Sequence, residues 1–231
     1  MVNSPRKMSL ILFDDIFFVF LEGSNTFSEH KIFELDDYCQ QVDEGESGID
    51  CFLSSPYILI PELAHQDGSE VLLMQASHPY LTTRSTRYTV DTWAGKYCKL
   101  VYYIPNLLFK PGFNKKHWLS CLSAYNQAFF DQWHTACWAY KLANKLFIFI
   151  SVEKSLKEVK VYSVLSPDDS TYFLLKLLEK YKIHQNEMVV WTNEPGEHHL
   201  HILKKFVPKV IYSKSSQAEL IHEILDASCE S

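Results

Sequence analysis

Residues 133–182 read WHTACWAYKLANKLFIFISVEKSLKEVKVYSVLSPDDSTYFLLKLLEKYK, and this stretch decides the fold. His134 to Leu142 and Lys145 to Val152 are rich in aromatic and β-branched residues, and the two residues between them, Ala143-Asn144, are enough for a tight turn. The two runs therefore form a hairpin. Glu158 to Leu165 alternates, with Val159, Val161 and Ser163 on one side and Lys160, Tyr162 and Val164 on the other, which adds a third antiparallel strand. Ser166-Pro167-Asp168-Asp169 then opens a helix. Ser166 caps an orphan backbone N–H, Pro167 suits the first helical position, and two carboxylates meet the positive end of the macrodipole. Tyr172, Leu175, Leu178 and Tyr181, with Leu174 and Leu177 beside them, give that helix an apolar face.

Toward the C-terminus the pattern continues with a strand at Glu187 to Thr192, a helix at Glu197 to Phe206, a strand at Pro208 to Tyr212 and a helix at Gln217 to Leu225. The order is β-β-β-α-β-α-β-α. Toward the N-terminus, Met8 to Phe13 and Ile16 to Glu22 are strands separated by Asp14-Asp15. They are apolar on both faces, as in a sheet covered by helices on each side. His30 to Leu35 is a third strand, Asp36 to Gln41 a short helix, and Asp43 to Asp50 a loop. Tyr57 to Ile60 and Leu100 to Ile104 are read as the fourth and fifth strands, each running into a proline that suits a sharp exit from the sheet. Ser69 to Ser77 is a helix with Val71, Leu72 and Met74 inward, Lys115 to Phe130 is another, and Tyr80 to Lys96 is either an edge strand or a loop.

Both halves thus share one order, that of the ribonuclease-H-like fold, duplicated as in the actin-like ATPase superfamily. Y-I-L-I-P-E-L at 57–63, Y-Y-I-P-N-L at 102–107, K-L-F-I-F-I at 145–150, S-P-D-D-S-T-Y-F-L-L at 166–175 and L-K-K-F-V at 203–207 also resemble an uncharacterised, mainly Bacteroidetes family of actin-like fold. The resemblance runs from Met8 to Tyr212, through apolar and structural motifs. It implies an α/β protein with two ribonuclease-H-like subdomains, 1–132 and 133–231, each built on a mixed sheet.

Composition narrows the function classes. The chain has 231 residues, 47% apolar and 22% charged, which suits a globular protein with a sizeable core. The net charge is −6, and only Arg6, Arg84 and Arg87 supply the guanidinium that grips phosphate bidentately. Nucleic acid is not an expected partner. Six cysteines lack a C-x-x-C pair and no signal peptide is evident, so thiols in the cytoplasm are expected. The longest apolar runs, such as Ile16 to Leu21, fall far short of the roughly 20 residues of a membrane span.

Actin-like ATPases hold nucleotide phosphates on two hairpins, each with an acidic residue followed by glycine and a hydroxyl residue, where backbone N–H groups approach closely. The corresponding turns, at Asp14-Asp15 and Ala143-Asn144, contain no glycine. Asp14 and Asp15 are the cofactor-binding candidates if nucleotide binds; the plainer reading is a solvated turn. A ribonuclease-type carboxylate set is incomplete, because only Glu62 follows the fourth strand. His198 and His201 share a helix face that Glu194 or Glu197 can join, the raw material of a metal site. The competing reading is a solvated first turn. Arg84, Arg87, Tyr88 and Trp93 combine the residue types that dominate protein-binding hot spots. The expectation is a non-catalytic, pseudo-ATPase protein without cofactor that binds a protein partner or itself. The alternative is a nucleotide- or metal-binding protein, or an enzyme, using the interdomain cleft.

Overall fold

The computed structural model describes residues 8–13, 16–21, 27–31, 34, 51–53, 57–61, 64, 66, 68–78, 87–92, 98–104 and 116–229 except 195 and 196. Its contacts divide the chain into two compact units, Met1–Tyr125 with Ala218–Ser231, and Asn126–Gln217.

In the first unit, β1 (Met8–Leu12), β2 (Ile16–Leu21), β3 (Phe27–Lys31) and β4 (Cys51–Phe52) are followed by β5 (Tyr57–Pro61), α1 (Glu70–Ser77), β6 (Arg87–Thr92) and β7 (Cys98–Ile104). Next come β8 (Lys116–His117) and α2 (Trp118–Gln132), whose residues from Asn126 onward belong to the second unit. One five-stranded sheet has the order β3-β2-β1-β4-β8. In it β1 is antiparallel to β2 and parallel to β4, and β4 is parallel to β8. Ile11, Leu12, Phe17 and Phe18 are all buried, so consecutive residues are covered on both sides of the sheet, as the two-sided apolar pattern predicts.

The fourth and fifth strands are not where the apolar runs place them. Tyr57–Pro61 and Cys98–Ile104 leave the main sheet and pair antiparallel in a three-stranded sheet of order β5-β7-β6. Ile60, Met74 and Val101 form the small core of this sheet and α1. Here Met74 is buried, but Val71 and Leu72 are exposed, against the inward placing expected of all three. The real fourth and fifth strands are the two-residue β4 and β8. The segment 80–97 supplies β6, an edge strand. The short helix read at 36–41 and the loop at 43–50 lie outside the described residues.

The second unit follows the sequence closely, except that its third strand begins at Ser155 and ends at Ser163 instead of running from Glu158 to Leu165, and Leu165 is exposed. The unit holds β9 (Thr135–Leu142), β10 (Lys145–Val152), β11 (Ser155–Ser163), α3 (Pro167–Lys180), β12 (Val189–Thr192), α4 (Glu197–Phe206) and β13 (Lys209–Tyr212). The last helix, α5 (Gln217–Cys229), falls almost wholly in the first unit. The second sheet has the order β11-β10-β9-β12-β13 with the same parallel and antiparallel relations as the first. On one face Cys137, Ala139, Leu146, Ile148, Ile150 and Val190 pack with Leu174, Leu177 and Leu178 of α3 and Leu203 of α4. The opposite face is aromatic: Trp138 stacks on Trp191 at 4.8 Å and on Tyr140 at 5.5 Å, and meets Phe149 edge-on at 5.6 Å. Tyr172, expected on the inner face of α3, is 57% exposed. Two sheets of one order make this a duplicated ribonuclease-H-like fold of the actin-like ATPase kind.

Candidate functional site

In the second sheet the chain leaves β9 toward β10 on one side and returns on the other as β12. In open α/β sheets the carboxyl ends of strands at such a switch point form the crevice where ligands bind. Here those ends are Lys141-Leu142 and Thr192, and the chain's own polar groups occupy the space beside them.

Asn193, the first residue past β12, accepts the Lys141 backbone N–H on Oδ1 at 2.7 Å. Its Nδ2 donates to the Lys141 carbonyl at 2.9 Å. One carboxamide therefore continues the ladder between two parallel strands where the backbone of β12 has ended. Gln217 Nε2 donates to the same carbonyl at 3.0 Å. The Lys141 ammonium donates to Glu194 Oε1 at 2.5 Å, with the side chains 21% and 2% exposed respectively. The Glu194 N–H donates to Thr192 Oγ1 at 3.1 Å, and the Thr192 carbonyl accepts from Ser213 N–H at 2.9 Å. Among the described residues, the groups at this edge are thus bonded to one another, and the Lys141 ammonium faces a carboxylate. The adjoining turn is equally closed: Ala143 sits at φ 51°, a conformation that favours glycine, and Asn144 O accepts from Val164 N–H at 2.8 Å.

At the matching edge of the first sheet, Leu53 N–H donates to Leu12 O at 2.7 Å and Phe13 N–H to Ile16 O at 2.8 Å. Phe13 and Leu53 are 2% and 8% exposed. Among the described residues this edge is apolar. Asp14 and Asp15 lie outside the described residues. Behind it, the fully buried His117 is ringed by Tyr102 at 4.7 Å, Phe52 at 5.5 Å and Tyr57 at 5.7 Å. Burial pushes the Tyr57 phenol up to about 12.

Glu194, considered beside His198 and His201 as a metal ligand, is instead bound to Lys141. His198 lies in the first turn of α4 and His201 is exposed. No group of three metal-ligating side chains occurs among the described residues. Arg87 and Tyr88 fall on the edge strand β6, in register with Ile104 and Tyr103; Arg84 and Trp93 lie outside the described residues. Asp169 caps its helix: Oδ2 accepts from Leu165 N–H at 2.9 Å and Ser166 N–H at 3.0 Å. Those two backbone bonds hold its carboxyl below the usual range. No helix among the described residues is long and apolar enough to cross a membrane.

The sequence alone does not mark Lys141, Asn193 or Gln217 as a group. Their signal was faint: a Thr-Asn-Glu-Pro-Gly run just past an apolar strand marks its carboxyl end but does not identify what it binds.

No protein-family profile matches the sequence, and no curated protein does. Solved structures do match. A Bacteroides thetaiotaomicron protein with an actin-like ATPase fold and unknown function superposes with a TM-score of 0.72 at 12% identity, over 98% of this chain and 99% of that one. A chain of the PilM–PilN type IV pilus biogenesis complex superposes with a TM-score of 0.54 at 9% identity, over 96% of each chain. At these identities the likeness establishes the fold.

Proposed function

We propose that this chain is a pseudo-ATPase, a non-catalytic protein of actin-like ATPase fold that works by binding another protein or a second copy of itself. The observation that carries the reading is the closed carboxyl edge of β9 and β12. Where the fold leaves room for a ligand, Asn193 and Gln217 take the Lys141 peptide groups and Glu194 takes the Lys141 ammonium. A nucleotide arriving there displaces satisfied hydrogen bonds and meets a buried carboxylate of its own charge sign, both unfavourable. The PilM–PilN complex supports the partner-binding half of the proposal, since a chain of this fold is seen there assembled with another protein. We assign the partner contact to Arg84, Arg87, Tyr88 and Trp93, around an edge strand whose backbone is paired on one side, and the compartment to the cytoplasm.

The test is thermal melting with and without millimolar Mg²⁺-ATP. A ligand at about 100 times its dissociation constant stabilises the native state by about 2.7 kcal/mol, roughly 5–10 °C for a chain of this size. No shift is expected. A rise of that order overturns the reading and moves attention to Asp14, Asp15 and the nucleotide alternative. For the second half, partners are co-purified from the native host, and Arg87→Ala and Trp93→Ala are expected to weaken the recovered complex tenfold or more.

A further inference from the structure

Cys51 and Cys121 lie 70 positions apart in sequence, yet their sulfurs are 3.2 Å apart in the first unit, and the residues are 2% and 0% exposed. Cys51 is on β4, the two-residue strand between β1 and the edge strand β8; Cys121 is in the first turn of α2. A disulfide needs the sulfurs to approach by only about a further 1.2 Å, to a bond near 2.05 Å. Of the other cysteines whose side chains are described, Cys98 lies on β7 in the small sheet and Cys137 belongs to the second unit.

We propose that Cys51 and Cys121 are an oxidation site, a thiol pair that a hydroperoxide converts to a disulfide, pinning β4 to α2. The inference is independent of the pseudo-ATPase reading. One sulfur, as thiolate, attacks the peroxide O–O bond. That bond breaks, the sulfur becomes a sulfenic acid, and the departing oxygen takes up the proton the thiol released and leaves as water, or as an alcohol from an organic hydroperoxide. The second thiol sulfur then attacks the sulfenic sulfur, the S–S bond forms, and hydroxide leaves with the thiol proton as a second water. Two thiols lose two electrons and two protons, and one hydroperoxide is reduced. Access comes through local opening. Among the described residues β4 pairs with its neighbours over Cys51 and Phe52, with one further bond from Leu53 N–H to Leu12 O, and such a short ladder is opened by breaking few hydrogen bonds. Its opening also frees the strand that carries Leu53 at the carboxyl edge.

The experiment uses the reduced full chain, treated with hydrogen peroxide, quenched, denatured, alkylated and mapped by peptide mass. The expected product is the Cys51 peptide joined to the Cys121 peptide, 2 Da lighter than the two thiol peptides together. Melting of the oxidised chain is expected about 5–10 °C higher, because the bond closes a long loop, and to return to baseline with dithiothreitol. Recovery of both peptides alkylated, oxidation of Cys51 or Cys121 only to sulfinic acid, or a bridge to a different cysteine overturns the proposal. Mapping the wild-type chain decides the matter without relying on a variant. Cys121→Ala then serves as a control in which the reversible rise is absent.

Discussion

The Asn193 carboxamide pairs with both peptide groups of Lys141, accepting its N–H at 2.7 Å and donating to its carbonyl at 2.9 Å. A side chain thereby takes over a backbone ladder one residue past the end of β12. Asn193→Ala removes both bonds at once. The Lys141 carbonyl keeps Gln217 as a donor, so the cost falls mainly on the N–H. A loss of about 1–3 kcal/mol is expected in urea unfolding of the chain. Asn193→Asp retains the acceptor but sets a carboxylate oxygen against the Lys141 carbonyl, and is expected to be at least as damaging as alanine. Wild-type stability in both variants rules out this role for Asn193.

The two ends of α3 differ in how well they are finished. Ser166 and Asp169 exchange hydrogen bonds as a capping box, with the Asp169 N–H donating to Ser166 Oγ at 3.3 Å. At the other end, Lys182 N–H donates to Glu179 O, Ile183 N–H donates to Leu178 O, and Lys182 adopts φ 52°, a position where glycine is ordinarily found. Ser166→Ala is expected to cost about 1 kcal/mol. Lys182→Gly is expected to gain about 0.5–1 kcal/mol, since relief of the left-handed strain exceeds the added freedom of the unfolded chain. Chemical denaturation of the two variants, with opposite signs expected, checks both.

The contrast between the two sheets shows what the sequence can convey. Thr135 to Tyr212 was legible because its three long strands carry enough residues to display their pattern and Ser166-Pro167-Asp168-Asp169 marks the helix start chemically. β4 and β8 were not, because two residues carry no period. The longer apolar runs at Tyr57 and Leu100 drew the assignment instead, although they belong to the small antiparallel sheet. The exposed Leu72 and Tyr172 likewise show that an apolar side chain near the right phase of a helix need not face inward. The closed edge was illegible for another reason. Lys141 lies 52 positions from Asn193 and 76 from Gln217, and only the pairing of β9 with β12 brings the first two together.

Tyr57 sets an alkaline limit on stability. Its phenol is held up to about 12 by burial, against an ordinary value of 10.0. A raised folded-state value means that the contribution is fully present below pH 10 and is lost as pH climbs through about 12, because the unfolded chain releases the proton first. Over that window the wild-type chain is expected to lose about 1–3 kcal/mol that Tyr57→Phe does not lose. Unfolding free energies at pH 8, 10 and 11.5 should therefore show Tyr57→Phe gaining on the wild type as pH rises, whatever their difference at pH 8. Parallel curves show that the Tyr57 phenol titrates normally.

Lys141 and Glu194 decide whether the edge of β9 and β12 is a structural closure or a disguised site. Lys141→Met removes the ammonium bound at 2.5 Å and leaves the Glu194 carboxylate, 2% exposed, without that cation. Breaking a buried pair from one side is strongly destabilising, and with Lys141 itself partly solvated the expected loss is about 2–4 kcal/mol. Glu194→Gln alone keeps an acceptor for the ammonium and should cost less. The double variant Lys141→Met/Glu194→Gln has no unpaired charge and is expected to recover most of the loss, a coupling of about 1–3 kcal/mol in the double-mutant cycle. The recovery distinguishes the two roles. A closure is defined by packing and charge balance, so the double variant should fold and bind the recovered partner as the wild type does, with no melting response to Mg²⁺-ATP. If the double variant is stable but no longer binds that partner, the pair itself takes part in recognition and is not a closure alone.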